Sequence, residues 1–173
     1  MLRIIVSSRL KTDISLAPLR VDDAEFVLEL LLSPGYLKYV GDRGVSNLEQ
    51  AERHIESYFL TSQQEHGFGY FVVRSADHQP AAMVGLKQRE FMDYPDLGFA
   101  CLPEYYRTGI TYVACQELLA MAKREYGMEI VEAFTDAKNK ASASLLSKLG
   151  FSEKGSITHP ESGEDLLLFR IEL

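Results

Sequence analysis

The stretch from Asp136 to Phe151, Asp-Ala-Lys-Asn-Lys-Ala-Ser-Ala-Ser-Leu-Leu-Ser-Lys-Leu-Gly-Phe, constrains the fold more than any other part of the chain. Leu145, Leu146 and Leu149 recur at helical spacing, so the segment reads as a helix with one face to bury. Asn139 and Ser142 lie three apart and share a face in its first turn. Gly150 supplies a left-handed exit, and Phe151 opens a strand. A helix that begins polar and is stopped by glycine before a strand belongs to a layered α/β arrangement, with its first turn free to bear a ligand.

The rest of the chain alternates to match. Residues 14–19 read as a strand, and Asp22 is expected to cap a helix to Leu32, where Phe26, Val27, Leu30 and Leu31 keep the helical period. Ser33-Pro34-Gly35 is expected to end it. Ser46-Asn47-Leu48-Glu49 has capping-box spacing, which predicts a helix over 48–65. Between these helices, Tyr39-Val40-Gly41-Asp42-Arg43-Gly44 is either a turn with a local ion pair or a wall of a pocket. Residues 67–75, 81–89 and 96–102 read as an antiparallel meander, with Asp77-His78-Gln79-Pro80 as a hairpin turn. A helix over 110–127, a strand over 129–135, the helix over 138–149 and two strands near 151–157 and 164–171 complete the chain. The fold class is α/β, with mixed α+β character: a central mixed, largely antiparallel sheet of six to seven strands, flanked by about four helices on both faces.

With 173 residues the chain suits one domain, residues 1–173, with 1–13 as an irregular lead-in. A 46% hydrophobic and 25% charged composition is that of a globular protein. No apolar run approaches the roughly 20 residues of a membrane span, and the opening residues carry too short an apolar run for a signal peptide. Cys101 and Cys115 make no disulfide framework. The chain is therefore read as cytoplasmic and without membrane partners. Eighteen basic residues against 25 acidic ones leave a net charge of −7, which repels nucleic-acid phosphates and favours cationic partners. His54, His66, His78 and His159 show no metal-ligand spacing, so no metal is expected.

The spelling Asn-x-x-Ser-x-x-Leu-Leu-x-Lys-Leu-Gly-Phe resembles the fourth helix of the GNAT (GCN5-related) N-acetyltransferases, in particular their ribosomal-protein N-acetyltransferase-like branch. Upstream, Asp96-Leu97-Gly98-Phe99-Ala100-Cys101-Leu102-Pro103-Glu104-Tyr105-Tyr106-Arg107-Thr108-Gly109 resembles the strand, loop and helix start that hold the acyl-CoA pantetheine and pyrophosphate in that family. Leu16-Ala17-Pro18-Leu19-Arg20-Val21-Asp22-Asp23-Ala24 resembles its first strand and helix start. The resemblance covers residues 8–173 and implies the GNAT fold, with acetyl-CoA as cosubstrate.

It also implies a set of cofactor-binding residues. Phe99, Ala100, Cys101 and Leu102 match the strand whose backbone pairs with pantetheine. Arg107, Thr108, Gly109, Ile110 and Thr111 match the pyrophosphate loop, where a helix N-terminus offers amides and a positive dipole end. That loop usually reads Gln or Arg, two variable residues, Gly, one variable residue, then Gly or Ala. Here Tyr106, Gly109 and Thr111 hold those places, and Arg107 stands where relatives often have Gly. Asn139 matches the residue that bonds the pantetheine arm; its alternative role is to cap its own helix. Many relatives carry at the Leu146 position a Tyr that protonates the leaving thiolate, and Ser142 is the substitute on the same side.

Attack on a thioester by a neutral amine needs no covalent enzyme intermediate, so Cys101 is read as core rather than nucleophile. The implied function is acetyl transfer from acetyl-CoA to a primary amine, either a protein N-terminal α-amine or a small amine or amino acid, in a ternary complex. Asp96, with Glu90, Asp93 and Asp42, is an acidic candidate for the base, each with the alternative of a solvated loop charge. A non-catalytic acyl-CoA-binding or partner-binding module on the same fold is the competing reading. Monomer and homodimer both remain open, since edge strands near the C-terminus can pair.

Overall fold

The computed structural model describes residues 4–6 and 13–173. Its strands are β1 (Ile4–Val6), β2 (Ile14–Pro18), β3 (Tyr70–Arg74), β4 (Pro80–Lys87), β5 (Asp96–Cys101), β6 (Ile130–Thr135), β7 (Ser152–Thr158) and β8 (Asp165–Glu172). Among the described residues they form one eight-stranded sheet in the order β1-β2-β3-β4-β5-β6-β8-β7. All neighbours are antiparallel except β5 and β6. The extra strand beyond the expected six or seven is β1, inside the lead-in read as irregular. It pairs Ile4 with Leu16 and Val6 with Ile14. Its three residues are too short to show a period. The remainder of that lead-in before Asp13 lies outside the described residues.

The helices are α1 (Ala24–Leu32), α2 (Pro34–Tyr39), α3 (Leu48–His54), α4 (Thr61–His66), α5 (Ile110–Tyr126) and α6 (Lys140–Leu149). Asp23 rather than Asp22 holds the start of the first: its carboxylate accepts the Arg20 amide at 3.0 Å and the Arg74 guanidinium at 2.8 Å. Ser33-Pro34 does stop α1, and the same proline then opens α2 at a position where its missing N–H costs nothing. The box at the start of α3 is one residue later than its spacing suggests. Asn47 Oδ1 accepts the Gln50 amide at 3.0 Å, and Gln50 Oε1 accepts the Ser46 amide at 2.7 Å. The single helix expected over 48–65 is interrupted by a π-helical turn, Ile55–Phe59, which re-aims Tyr58 and Phe59.

Strand alternation splits the core in two. Val84 and Leu86 of β4, with Leu97 of β5, pack with Val113, Leu118 and Met121 of α5 and with Leu146 of α6. Met83, one residue out of phase, packs on the other face with Val27 and Leu30 of α1 and Ile55 and Phe59 of the π turn. Among the described residues, no helix is long and apolar enough to cross a membrane.

The parallel pair decides where the sheet opens. β5 pairs with β4 from Asp96↔Lys87 to Cys101↔Ala82, yet it meets β6 at one position, Asp96↔Glu132. At that position the Glu132 amide donates to Pro95 O at 2.9 Å, and β6 is otherwise taken up by β8. A parallel neighbour needs a long crossover, which α5 supplies, and the two strands diverge toward their C-terminal ends.

Candidate functional site

A cavity of about 440 Å³ fills the gap where β5 and β6 part. Its strand walls are Leu97, Gly98, Phe99 and Ala100 on one side and Phe134 and Thr135 on the other. Asp136, Asn139 and Ser142 line it from the start of α6. Tyr36, Tyr39, Val40, Gly41 and Arg43 close it from α2 and the loop that follows. That loop holds no Asp42–Arg43 ion pair: Asp42 Oδ1 accepts the Gly44 amide at 2.8 Å, and Arg43 turns inward instead. Of its two readings, the pocket wall is the one the geometry shows.

Tyr70 forms part of the floor through a slot made by two paired glycines. Gly85 and Gly98 face each other across β4 and β5. A Cβ on Gly85 would stand 2.2 Å from Tyr70 Cδ1. Glycine in a strand is expected where another group approaches the backbone closely, and here that group is an aromatic ring. Burial pushes the Tyr70 phenol pKa well up.

At the apex of the gap two buried carboxylates are each held by an arginine. Asp96, 3% exposed, takes Arg89 Nε at 2.7 Å; Glu132, 2% exposed, takes Arg170 at 2.7 and 3.1 Å and the Tyr94 amide at 3.3 Å. Asp96 is thus not a solvated loop charge. Burial pushes its carboxyl pKa up, and the Arg89 charge opposes that push without reversing it. Arg89 also reaches Tyr58 OH at 3.3 Å and lies 4.9 Å from the Phe134 ring centre. Glu90, Asp93 and Asp42 are exposed and do not line the cavity.

The helix-bearing Asn139 and Ser142 do come together at the cavity. Asn139 Oδ1 accepts the Ser142 amide at 3.1 Å, so Asn139 caps α6 while its side-chain NH₂ stays available to a ligand. Leu146 is fully buried in the core. The neighbouring Asp136 spends Oδ1 on the Lys138 amide at 2.8 Å and keeps its second oxygen. His159 also lines the cavity, but its Nδ1 accepts the amides of Glu161 and Ser162 at 3.3 and 3.4 Å. Those amides occupy the Nδ1 lone pair, so Nδ1 is not free to serve as a base.

Cys101, Leu102 and residues 107–111 lie beyond the cavity, at the far end of β5 and the start of α5. Leu102 is buried in the core beneath α1, and Cys101 is half-buried with its thiol pKa pushed up by burial and next to the Thr111 hydroxyl. Arg107 (φ 62°) and Gly109 (φ 86°) are both left-handed, which folds the loop tightly before Ile110 starts α5. The Thr108 hydroxyl is turned back into the loop: it donates to Tyr105 O at 2.8 Å and accepts the Ile110 amide at 3.4 Å.

Sequence reasoning missed Tyr36, Tyr58, Tyr70, Arg89 and Asp136 as pocket residues. The only local signal was the pair of strand glycines, Gly85 and Gly98; the rest depends on contacts such as Arg89–Tyr58 that span 31 residues.

Comparison with known proteins matches this arrangement. The chain is 23% identical over 136 residues to the uncharacterized N-acetyltransferase YoaA of Bacillus subtilis (strain 168), covering 77% of this chain and 76% of that protein. A GNAT-family acetyltransferase from Bacillus anthracis superposes with a TM-score of 0.76 at 18% identity, covering 97% of both chains. A ribosomal L7/L12 alpha-N-protein acetyltransferase in complex with coenzyme A does so with a TM-score of 0.80 at 15% identity, covering 98% of this chain and 97% of that one. The family model described as acetyltransferase (GNAT) domain matches residues 13–152, and on that match the chain belongs to the GNAT acetyltransferases.

Proposed function

We propose that this protein transfers an acetyl group from acetyl-CoA to a primary amine, a protein N-terminal α-amine or a small amine or amino acid, by direct attack in a ternary complex. The observation that carries the reading is the single β5–β6 bridge at Asp96↔Glu132. Past it, the edge of β5 facing the cavity has no strand partner, so its backbone groups are available to a ligand that enters the gap. The residues present fit the cosubstrate. The free edge at Gly98 to Cys101 would take the pantetheine arm with Asn139. Arg107 and the first-turn amides of α5 would take the pyrophosphate, Gly109 having no side chain to block them.

Acetyl-CoA, when bound, supplies an acyl group already activated as a thioester. The chain's own groups do the positioning and the charge work. β5 amides stabilise negative charge that develops on the acyl oxygen. An α-amine with a pKa near 8 loses its proton at pH 7 for about 1 kcal/mol, so a weak base suffices. Asp136 holds a spare carboxylate oxygen at the cavity, whereas Asp96 is bound to Arg89. We assign acceptance of the amine proton to Asp136; the Ser142 hydroxyl relays a proton to the departing sulfur and is reprotonated with the proton that Asp136 accepted, so that amide and free CoA thiol form with both side chains restored. The likeness to a ribosomal-protein α-N-acetyltransferase supports an α-amine over a lysine side chain.

Thermal melting with and without acetyl-CoA tests the site. A ligand at 100 times its Kd adds about 2.7 kcal/mol of stability. No upward shift at millimolar acetyl-CoA overturns the proposal. A shift without amine-dependent release of free CoA leaves a non-catalytic acyl-CoA-binding module.

A further inference from the structure

Three cationic side chains converge on Tyr58, and one of them is neutralised. Arg89 is paired with Asp96. Lys87 places Nζ 3.5 Å from the Tyr58 ring centre and donates to the Tyr58 carbonyl at 2.9 Å. Arg43 lies 5.8 Å from the same ring centre. Neither Lys87 nor Arg43 has a carboxylate within ion-pair distance among the described residues. Arg43 lines the cavity, and its Nε is buried with no hydrogen-bond partner. His54, stacked on Tyr58 at 5.1 Å, has its Nε2 in the same condition.

Unmatched buried polar atoms, and a half-buried guanidinium that meets the Tyr36 hydroxyl but no carboxylate, weaken a fold unless something fills them. The Tyr58 end of the site therefore has a local sign opposite to the chain's net charge of −7. The same cavity is lined from the end of β6 and the β7–β8 turn by Asp136, Glu161 and Glu164, so its polarity runs from cationic to acidic.

We infer that the acceptor is an amine that also carries a carboxylate, which Arg43 binds beside Tyr58 while the amine is directed toward Asp136 and the β5–β6 gap. This rests on the acetyl-transfer reading and names its substrate class. The planar guanidinium matches a carboxylate with two parallel N–H bonds, which a lysine at that place could not. Such a carboxylate comes from a free amino acid or from an acidic side chain at a peptide N-terminus. A polyamine would set like charge against Arg43.

Release of free CoA from acetyl-CoA is measured with glutamate and aspartate, with their carboxamide counterparts, with a peptide beginning in Glu, and with spermidine. The expected result is that a carboxylate-bearing amine has a kcat/KM at least tenfold above its amide, and the amino-acid and peptide arms identify which source it comes from. Arg43→Met is expected to abolish that preference through KM, Arg43→Lys to restore part of it, and both to keep the acetyl-CoA melting shift, which shows that they fold. Equal or better turnover of the amides or spermidine overturns the inference, as does a preference that survives Arg43→Met or the absence of turnover with every carboxylate-bearing amine. Loss of the acetyl-CoA shift in the unaltered protein instead overturns the reading beneath it.

Discussion

Replacing Gly85 with alanine drives a methyl group into the ring that floors the cavity. The new Cβ would lie 2.2, 2.5 and 2.7 Å from Tyr70 Cδ1, Cγ and Cε1, where ordinary contact begins at 3.4 Å. These are atoms of a rigid ring that is 8% exposed and packed edge-on against Phe59 at 4.9 Å, so no flexible end can give way. Overpacking of this kind costs about 1–3 kcal/mol, and three ring atoms in conflict place it near the top. Loss of glycine's extra freedom in the unfolded chain offsets about 0.5–1 kcal/mol. The net loss is about 2 kcal/mol, or roughly 4–8 °C in Tm for a chain of this size. Urea unfolding of the four proteins of a Gly85→Ala, Tyr70→Ala cycle isolates the clash. With Tyr70 removed, Gly85→Ala should cost nothing, a coupling of about 2–3 kcal/mol. Additive losses would refute the slot, because the cost would then belong to the strand and not to the ring.

The other predictions concern the loop, the cap and a buried amine. Arg107→Gly relieves about 1–2 kcal/mol of left-handed strain and loses about 0.4–1 kcal/mol to unfolded-state freedom, so stability should hold or rise, by up to about 1.6 kcal/mol. Its acetyl-CoA affinity, measured by calorimetry, should fall several-fold and lose part of its salt dependence. Asn139→Ala removes the α6 cap and should cost about 1 kcal/mol by urea unfolding, with weaker acetyl-CoA binding besides. Burial, reinforced by the Arg89 charge, pulls the Lys87 pKa down to about 8. Between pH 8 and its ordinary value near 10.5 the unfolded chain binds the extra proton, so Lys87 makes stability rise with pH across that window and is unfavourable below it. Melting from pH 7 to 10 should show that rise in the unaltered protein relative to Lys87→Met; parallel curves would contradict it.

Much of this molecule follows from local chemistry. The apolar stripe at Leu145, Leu146 and Leu149, the glycine at 150, and the aromatic and β-branched residues of β3 and β4 with the turn between them act over a few residues, so a helix, its stop and a meander are legible without the fold. The family motifs at Asp96 to Gly109 and Asn139 to Phe151 are legible for the same reason. Tertiary structure alone decided that β5 and β6 touch once and then part, since pairing partners are chosen by long-range packing. It decided that Asp96, one acidic residue among several in the sequence, is buried against Arg89. It decided that Ser33-Pro34, a stop by local rules, also begins α2. It also set the sign of the charge at the Tyr58 end of the site. Net charge is a sum over the whole surface, but a bound group feels only the charges within about a Debye length and those left unpaired beside it. In an acidic chain, three cations gathered on Tyr58 from two separate segments, with one carboxylate to share among them, make one end of the pocket cationic.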